Sequence, residues 1–266
     1  MPTGVLREHR PTLFGGVPTL YAAILADPAL DPSREGQFLR GCISAGEALP
    51  ADISERWKAR FKVDILDGLG STEMLHIFLS NRFEDVRYGT SGKPVAGYQL
   101  RVVDETGRDV PRGELGELLV NGPTAAIGYW NQRQRSLATF HGPWTRTGDK
   151  YVIDEDGYYH YAGRADDMLK VGGIWVSPIE VEATLIKHPA VLEAAVVGKE
   201  DSDRLVKPKA YVVLKDPSTS APGLADELKG FVKDKIAPYK YPRWIDFVPE
   251  LPKTSTGKIQ RYKLRD

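Results

Sequence analysis

The chain has one cysteine, no excess of charge and no long apolar run, and each of these absences excludes a class of protein. Lys plus Arg and Asp plus Glu both number 36 among 266 residues, so no net field attracts nucleic acid or an acidic membrane. The single cysteine, Cys42, excludes an internal disulfide framework and fits a reducing compartment. No run approaches the roughly 20 apolar residues of a membrane-spanning helix. The start, MPTGVLREHRP, lacks the apolar core of a secretory signal. We therefore expect a cytoplasmic protein with no nucleic-acid and no membrane partner.

What is present is a globular composition, 41% hydrophobic and 27% charged, arranged in three successive patterns. Residues 1–87 alternate strand-like and helix-like segments, which predicts an α/β part. Residues 88–165 are short strands separated by tight turns, which predict a β-rich subdomain. Residues 166–266 read as a separate small α+β domain.

Several segments carry clear local signals. In ADISERWKARF, three apolar residues recur every fourth position and predict a helix with one buried face: Ile53, Trp57 and Phe61. Ser177 to Glu180 form a capping box with proline at the first helical position. LADELKGFVKDKI predicts an amphipathic helix with Leu224, Leu228, Phe231 and Val232 inward. LFGGVPTLYAAIL reads as a buried strand followed by a helix, and because domains rarely begin on their core we expect a segment before it.

The turn GLGSTE, Gly68 to Glu73, is the first candidate site. Successive N–H groups and two hydroxyls in a glycine turn suit a phosphate, and the adjacent carboxylate suits Mg²⁺, which prefers hard oxygens. An ordinary strand-to-helix turn explains the same residues equally well.

Two further turns are similar in character. SAGEALP, Ser44 to Pro50, offers a bare backbone against which a flat base could lie, or is simply the start of a helix. WTRTGD, Trp144 to Asp149, ends a strand with a carboxylate that could accept hydrogen bonds from both ribose hydroxyls. A plain turn is the alternative for Asp149.

Two stretches lie in the C-terminal part. GRADDMLKVGGIWVSPIEVE, Gly163 to Glu182, joins a cation, paired acids, two glycines and a capped helix at the expected domain boundary. LPKTSTGKIQR places Lys258 behind a glycine in a tract of small hydroxyl residues that favours a loop. A solvated lysine near the C-terminus is the alternative for Lys258.

In chain order, six motifs resemble the core motifs of the adenylate-forming enzymes, the superfamily of acyl- and aryl-CoA synthetases, peptide-synthetase adenylation domains and luciferases. They are SAGEALP, GLGSTE, GELLVNGPTAAIGYWN, WTRTGD, GRADDMLKVGGIWVSPIEVE and PKTSTGKIQR. VPTLYA, GSTEMLHIF and KVGGIWVSP look most like the benzoate–CoA ligases and their hydroxybenzoate relatives. The resemblance implies an α/β part with a small β-barrel-like subdomain, followed by a mobile α+β domain. It also implies an enzyme of aromatic compound degradation that uses ATP, coenzyme A and Mg²⁺ on a small aromatic carboxylate, with a homodimer as a possible assembly.

The resemblance carries roles to individual residues. Lys258 is implied as the cation that bridges the substrate carboxylate and the α-phosphate during adenylation. Thr72 is implied as a phosphate hydroxyl and Glu73 as the Mg²⁺ carboxylate. Asp166 is implied as the hinge about which the small domain rotates between two half-reactions.

The remaining implied roles are contacts to substrates. For the nucleotide they are Gly46, Glu47 and Ala48 as the adenine shelf, Asp149 and Arg164 at the ribose, and Asp67, Gly68, Ser71 and Thr72. For the acyl group they are Ala45, Gly46, Gly68, Leu69, Gly70, Leu75 and His76, with residues near Phe14 and Tyr21. For coenzyme A they are Val171, Gly172 and Gly173 along the pantetheine arm and Lys240 at its nucleotide. His76 could instead be a hydrogen-bonded core histidine, and Lys240 could be only solvated.

The glycine- and hydroxyl-rich phosphate loop of the superfamily is not among these motifs, since it belongs to the first half of a chain about twice as long. The sequence thus resembles the C-terminal half of an AMP-forming aryl-CoA ligase, which we expect to be inactive alone. Two alternatives stay open: a non-catalytic module that binds a nucleotide or coenzyme A, and an adenylation domain that loads a carrier protein.

Overall fold

The computed structural model describes residues 2–219, 222–254 and 257–265. The chain divides into two compact units, Met1–Tyr161 and Ala162–Asp266. The division falls shortly before the predicted boundary at residue 165, so Asp166 lies among the first residues of the second unit. No helix in these ranges is long and apolar enough to cross a membrane.

The first unit begins with a mixed sheet covered by helices on one face. Its elements are α1 (Pro2–His9), β1 (Leu13–Gly16), α2 (Pro18–Ala26), α3 (Pro32–Glu35), β2 (Gly41–Ala45), α4 (Ala51–Phe61), β3 (Ile65–Gly70), β4 (Ile77–Ser80) and β5 (Lys93–Pro94). The strands lie in the order β1-β2-β3-β4-β5, with β1 to β3 parallel and the other pairs antiparallel. Helix α4 forms as the periodicity predicts, and its Trp57 is fully buried, edge-on to Tyr21 and stacked on Phe61.

Two features of this sheet differ from the sequence prediction. Helix α1 is not predicted by the sequence pattern, although its Leu6 is fully buried in the same core as Trp57. Strand β1 is predicted to be buried, but it lies at the edge of the sheet and its Leu13 is 54% exposed. The sequence pattern shows how apolar a strand is and not its place in the sheet, which is why it does not distinguish this edge strand from a central one.

The rest of the first unit is the β-rich subdomain. Its elements are β6 (Gln99–Val103), β7 (Leu115–Asn121), α5 (Arg133–Thr139), β8 (Phe140–His141), β9 (Trp144–Ile153) and β10 (Tyr159–Arg164), the last of which crosses into the second unit. The strand order is β10-β9-β7-β6, with β8 beside β9. The core of this part contains Phe78, Leu118, Val120 and Tyr151.

Strand β9 corrects one prediction. The motif WTRTGD is expected to end a strand, but β9 continues through Asp149 to Ile153. Because Arg146 pairs with Leu119 and Lys150 with Glu117, residues 147–149 lie opposite Leu118 alone. The motif is therefore a bulge within a long strand, a feature that re-aims side chains beside functional sites.

The second unit is a small α+β domain. Its elements are β11 (Leu169–Val171), β12 (Ile174–Val176), α6 (Pro178–Ile186), β13 (Val191–Glu200), β14 (Val206–Leu214), α7 (Leu224–Lys235) and β15 (Trp244–Phe247). Ser177 caps α6 by accepting a hydrogen bond from the Glu180 N–H, which confirms the N-cap half of the predicted capping box, while the Glu180 carboxylate pairs with Lys240. In α7, three of the four predicted residues are buried and Phe231 is half-buried against His188. The predicted fold class, an α/β part with a β-rich subdomain followed by an α+β domain, is confirmed.

Candidate active site

The turn after β3 presents the phosphate-binding residues expected from GLGSTE. Strand β3 ends at Gly70, and Ser71 caps a short 3-10 turn, Thr72–Met74, by accepting a hydrogen bond from the Met74 N–H at 3.3 Å. Thr72 is exposed and Glu73 is half-buried. A side chain at Gly70 would stand 2.6 Å from the carbonyl oxygen of His76, so only glycine lets β4 pass this closely.

Glu73 is held by a residue to which the sequence analysis gives no role. The hydroxyl of Tyr129 donates a hydrogen bond to Glu73 Oε1 at 2.5 Å. Burial of Glu73 raises its pKa, but the hydrogen bonds from Tyr129, from its own N–H and from Ser71, with the charge of Arg135, lower the pKa below its usual value overall. Glu73 is therefore an ionised carboxylate at neutral pH.

The segment that contains Tyr129 also forms hydrogen bonds with the backbone of the Thr72–Met74 turn. The N–H of Ala126 donates to the Glu73 carbonyl at 2.8 Å, and the Thr124 hydroxyl donates to the Met74 carbonyl at 2.6 Å. Tyr98 in turn contacts the Thr124 hydroxyl at 2.8 Å. The motif GELLVNGPTAAIGYWN thus fixes the turn that contains Glu73. A tyrosine in a quoted motif without an assigned role is the only sequence signal for this function.

The ends of β2 and β3 bring two motifs side by side. Ser44 pairs with Asp67 and Ala45 with Gly68 across the parallel strands, so SAGEALP and GLGSTE leave the same edge of the sheet. Ser44 Oγ and Asp67 Oδ1 are buried without a hydrogen-bond partner among the described residues. Burial raises the pKa of the Asp67 carboxyl well above its usual value, and the N–H groups of Leu49 and Gly68 offset only part of this shift.

Asp149 lies in the bulge of β9, in the second sheet of the first unit. It is 7% exposed, and its N–H donates to the Thr147 hydroxyl at 3.1 Å. Burial raises the pKa of Tyr151 strongly, and the charges of Asp149 and Asp67 contribute to the same shift. Asp149 and Asp67, two of the predicted nucleotide residues, therefore act on the same buried tyrosine.

The predicted acyl pocket is only partly assembled by the described residues. Ala45 and Gly68 face each other across β2 and β3, while Leu75 is 77% exposed and His76 is also exposed. His76 is thus not buried among the described residues, and its place in the pocket stays a prediction.

Phe14 and Tyr21, near which further pocket residues are predicted, instead pack in the core around Trp57. The Tyr21 hydroxyl donates to the carbonyls of Phe14 and Ile43. The side chain of Tyr21 is itself fully buried in the core, and the pocket residues predicted near it stay a prediction.

In the second unit, the predicted hinge is an exposed turn tied to the C-terminal segment. Arg164 Nε lies 3.7 Å from Asp166 Oδ1, and the Asp166 side chain is 75% exposed. Arg265 donates to the Asp166 carbonyl at 3.4 Å and forms an ion pair with Asp167.

The predicted pantetheine loop is a tight hairpin between β11 and β12. Gly172 and Gly173 have φ of +59° and +85°, the left-handed values of a two-residue turn that favours glycine. No described atom lies within 4 Å of where their side chains would be. The glycines are therefore required by backbone conformation as well as by any need for open space.

The two predicted lysines of this unit differ in environment. Lys240 is not simply solvated, since its Nζ lies 2.6 Å and 2.7 Å from the two carboxylate oxygens of Glu180. Lys258 is exposed and lies on a hairpin, in which the Thr254 N–H donates to the Lys258 carbonyl at 2.8 Å and Lys253 pairs with Ile259. Ser255 and Thr256 lie outside the described residues.

Within the described ranges, no group of three His, Cys, Asp or Glu side chains is close enough to hold a metal ion by itself. Mg²⁺ sites that act on nucleotides usually have one or two carboxylates, with substrate phosphates as the other ligands. The ionised carboxylate of Glu73, beside the exposed Thr72 hydroxyl, fits that donor set.

Two family models match the chain: one described as "AMP-binding enzyme" over residues 1–130, and one described as "AMP-binding enzyme C-terminal domain" over residues 180–258. The chain belongs to this family of adenylate-forming, AMP-binding enzymes.

Individual relatives agree with this membership. The benzoate–CoA ligase of Thauera aromatica is 63% identical over 98% of this chain and 49% of its own length. A crystal structure of a benzoate CoA ligase from Burkholderia xenovorans matches with a TM-score of 0.92 at 57% identity, over 99% of this chain and 53% of that chain. An anthranilate CoA ligase solved with anthranoyl-AMP matches with a TM-score of 0.94 at 53% identity, over 99% of this chain and 51% of that chain. The chain thus spans about half the length of the relatives it matches.

Proposed function

We propose that this protein acts as an aryl-CoA ligase of the benzoate–CoA ligase type, which activates an aromatic carboxylate with ATP and transfers the acyl group to coenzyme A. The observation that carries the proposal is the Ser71–Glu73 turn, where two hydroxyls adjoin an ionised carboxylate that Tyr129 holds in place. The similarity to a benzoate–CoA ligase and to an anthranilate CoA ligase supports the substrate class.

The proposed reaction has two half-reactions. A benzoate oxygen attacks the α-phosphorus of ATP, the bond to the bridging oxygen breaks, and pyrophosphate leaves with that electron pair. The thiol of coenzyme A then loses its proton and attacks the acyl carbon of benzoyl-AMP, and AMP leaves as the thioester forms. Two anions must meet in the first step, so a cation aimed at the developing charge lowers its barrier by several kcal/mol.

The residues divide between these steps as follows. Lys258 supplies the cation for adenylation, because a compact ammonium on a flexible stem suits a point contact with carboxylate and phosphate oxygens. Thr72 donates a hydroxyl hydrogen bond to phosphate, Ser71 caps the turn beside it, and Asp149 and Arg164 bind the ribose. Val171, Gly172 and Gly173 line the path of the pantetheine arm in the second step.

Glu73 would hold Mg²⁺, which supplies charge neutralisation for the phosphates when it is bound. The residues of this chain keep the Glu73 carboxylate ionised and oriented, and the hydrogen bond from Tyr129 contributes to both.

Benzoate-dependent exchange of labelled pyrophosphate into ATP, measured on the protein at its full encoded length, tests the first half-reaction. Benzoyl-CoA formation with free coenzyme A tests the second. We expect both with benzoate, and a comparison with hydroxybenzoates and anthranilate sets the preferred ring substituent. No exchange with any aromatic acid would contradict the proposal.

The same assays separate the alternatives. A domain that loads a carrier protein would show exchange without release of a free coenzyme A thioester. A non-catalytic module would bind AMP or coenzyme A in calorimetry and show neither reaction. The cytoplasmic location and the homodimer stay predictions, to be tested by cell fractionation and by light scattering.

A further inference from the structure

A buried carboxylate in the second unit joins three separate parts of that unit. Glu182 lies on α6 and is 5% exposed. Its Oε1 accepts a hydrogen bond from the N–H of Val196 on β13 at 2.8 Å and another from Arg261 Nε at 3.0 Å. Its Oε2 accepts a third from Arg261 Nη2 at 2.7 Å. The arginine is thus gripped through two parallel bonds, which fix its orientation as well as its position.

Arg261 is the last residue of the stretch LPKTSTGKIQR that carries Lys258. Its side chain is 17% exposed, so the ion pair is shielded from water on both sides. Removing Arg261 would leave the Glu182 carboxylate buried without its bidentate cation, which is costly in proteins. The pair therefore holds the chain firmly three residues beyond Lys258.

The residues before Lys258 are anchored as well. The Gln260 N–H donates to the Pro252 carbonyl at 2.8 Å, and the Gly257 N–H donates to the Thr254 carbonyl at 3.0 Å, which closes the hairpin. Lys253 Nζ lies 2.6 Å from Glu193 Oε1 on β13. Between these anchors, Ile259 packs in a small apolar cluster whose buried members are Ala195, Val213 and Leu251.

The buried ion pair between Glu182 and Arg261 is not explained by its contribution to stability alone. A buried ion pair seldom contributes more free energy of folding than an apolar pair of similar volume would. What it provides here is direction, because a bidentate guanidinium on a buried carboxylate admits one geometry. We propose that Glu182 and Arg261 are positioning residues for Lys258, and that they set its pose for the adenylation half-reaction. This inference rests on the proposed function for the chemistry, and on the contacts above for the geometry.

The first test concerns geometry and needs no activity. Arg261→Gln removes the charge and the paired donors, Glu182→Gln replaces the carboxylate with an isosteric amide, and Arg261→Lys keeps the charge without the bidentate grip. Lys263→Gln is the matched control, since it removes an exposed positive charge from the same short 3-10 turn. Hydrogen exchange followed by mass spectrometry reports on the peptide 252–262. We expect faster exchange there in Arg261→Gln and Glu182→Gln, an intermediate rate in Arg261→Lys, and no change in Lys263→Gln. An unchanged rate in Arg261→Gln would overturn the proposal.

The second test measures the two half-reactions separately in the protein at its full encoded length. A misplacement of about 1 Å can cost roughly 100-fold in rate, so we expect Arg261→Gln to lower kcat for pyrophosphate exchange by roughly 10- to 100-fold. We expect KM for benzoate and ATP, and the rate of thioester formation from supplied benzoyl-adenylate, to stay within about threefold. Arg261→Lys is expected to recover part of the loss.

The double variant Glu182→Gln with Arg261→Gln is expected to lose no more activity than the worse single variant, because the two residues act as one unit. Equal losses in both half-reactions, or losses that add in the double variant, would overturn the positioning role. If the wild-type protein shows no benzoate-dependent pyrophosphate exchange, the proposed function is refuted instead. The hydrogen-exchange rates of peptide 252–262 would still decide whether Glu182 and Arg261 fix the Lys258 hairpin.

Discussion

Replacing Gly70 with alanine tests whether the geometry of the phosphate turn depends on close approach of two strands. The new side chain would stand 2.6 Å from the carbonyl oxygen of His76, 2.8 Å from its carbonyl carbon and 2.9 Å from the nitrogen of Ile77. These are backbone atoms, which cannot swing aside as a side chain would. Ordinary contact begins at 3.4 Å, so β4 would have to withdraw by about 0.8 Å, the difference between 3.4 and 2.6 Å, at a typical cost of about 1–3 kcal/mol.

A smaller effect of opposite sign acts on the unfolded chain. Alanine restricts the unfolded chain more than glycine does, which stabilises the folded state by about 0.4–1 kcal/mol. At the middle of these two ranges, about 2 and about 0.7 kcal/mol, the net loss for Gly70→Ala is about 1.3 kcal/mol, or a lower Tm by roughly 3–5 °C for a unit of this size. Gly15→Ala is the matched control, because Gly15 lies on β1 of the same sheet and no described atom lies within 4 Å of the place its new methyl group would occupy.

Thermal unfolding followed by tryptophan fluorescence measures this difference, since the five tryptophans of the chain include the buried Trp57 in the core beside this sheet. The effect on function follows the same displacement, since Gly70 directly precedes Ser71, Thr72 and Glu73. We expect Gly70→Ala to show slower pyrophosphate exchange and Gly15→Ala to keep the stability of the wild type or exceed it. A Gly70→Ala protein as stable as Gly15→Ala would refute the argument from close approach.

Three further predictions concern the proposed chemistry. We expect Lys258→Ala to slow adenylation by orders of magnitude and to change thioester formation from supplied acyl-adenylate far less. Equal losses in both half-reactions would contradict the role of Lys258. Acetylation of Lys258, which removes the charge, should slow adenylation in the same way. Asp166→Pro fixes φ at the proposed hinge, so we expect one half-reaction to continue and the other to stop, whereas wild-type rates in both would exclude a hinge there. Tyr129→Phe removes one charge-assisted hydrogen bond from the half-buried Glu73, a loss of about 1.4 kcal/mol. We therefore expect pyrophosphate exchange to slow about tenfold, while the AMP affinity measured by calorimetry stays unchanged. Pyrophosphate exchange at the wild-type rate would show that Tyr129 does not orient the carboxylate.

Local signals in the sequence are sufficient wherever a few neighbouring residues decide the structure. The N-cap at Ser177 is predicted correctly because a hydroxyl and the N–H three residues further on meet at the start of a helix. The burial of Trp57 and Phe61 on α4 follows from helical periodicity alone. The GLGSTE turn is only partly correct, because Gly68 to Gly70 continue β3 and the turn itself begins at Ser71.

Features set by distant parts of the chain cannot be predicted in this way. Tyr129 reaches Glu73 across 56 residues, and Arg261 reaches Glu182 across 79 residues. Both residues stand in quoted motifs, but neither motif indicates which carboxylate the side chain meets. The bulge that places Asp149 within β9 likewise depends on its register with β7, which the letters WTRTGD do not contain.

The anchored hairpin changes how Lys258 can move. The tract TSTG suggests a loose loop from which the lysine could reach into a cleft by itself. The described residues on either side are instead tied to the body of the second unit, by Lys253 to Glu193, by Ile259 to an apolar cluster and by Arg261 to Glu182. Breaking these contacts in every catalytic cycle would cost a buried ion pair and a closed hairpin, whereas rotating the whole unit about a few backbone dihedrals breaks none of them. If Lys258 serves only one half-reaction, its arrival and departure therefore belong to the second unit as a rigid body. The predictions for Asp166→Pro and Lys258→Ala then test the same movement. If Asp166→Pro traps the orientation in which Lys258 is withdrawn from the adenylation site, we expect the double variant to slow adenylation no more than Asp166→Pro alone.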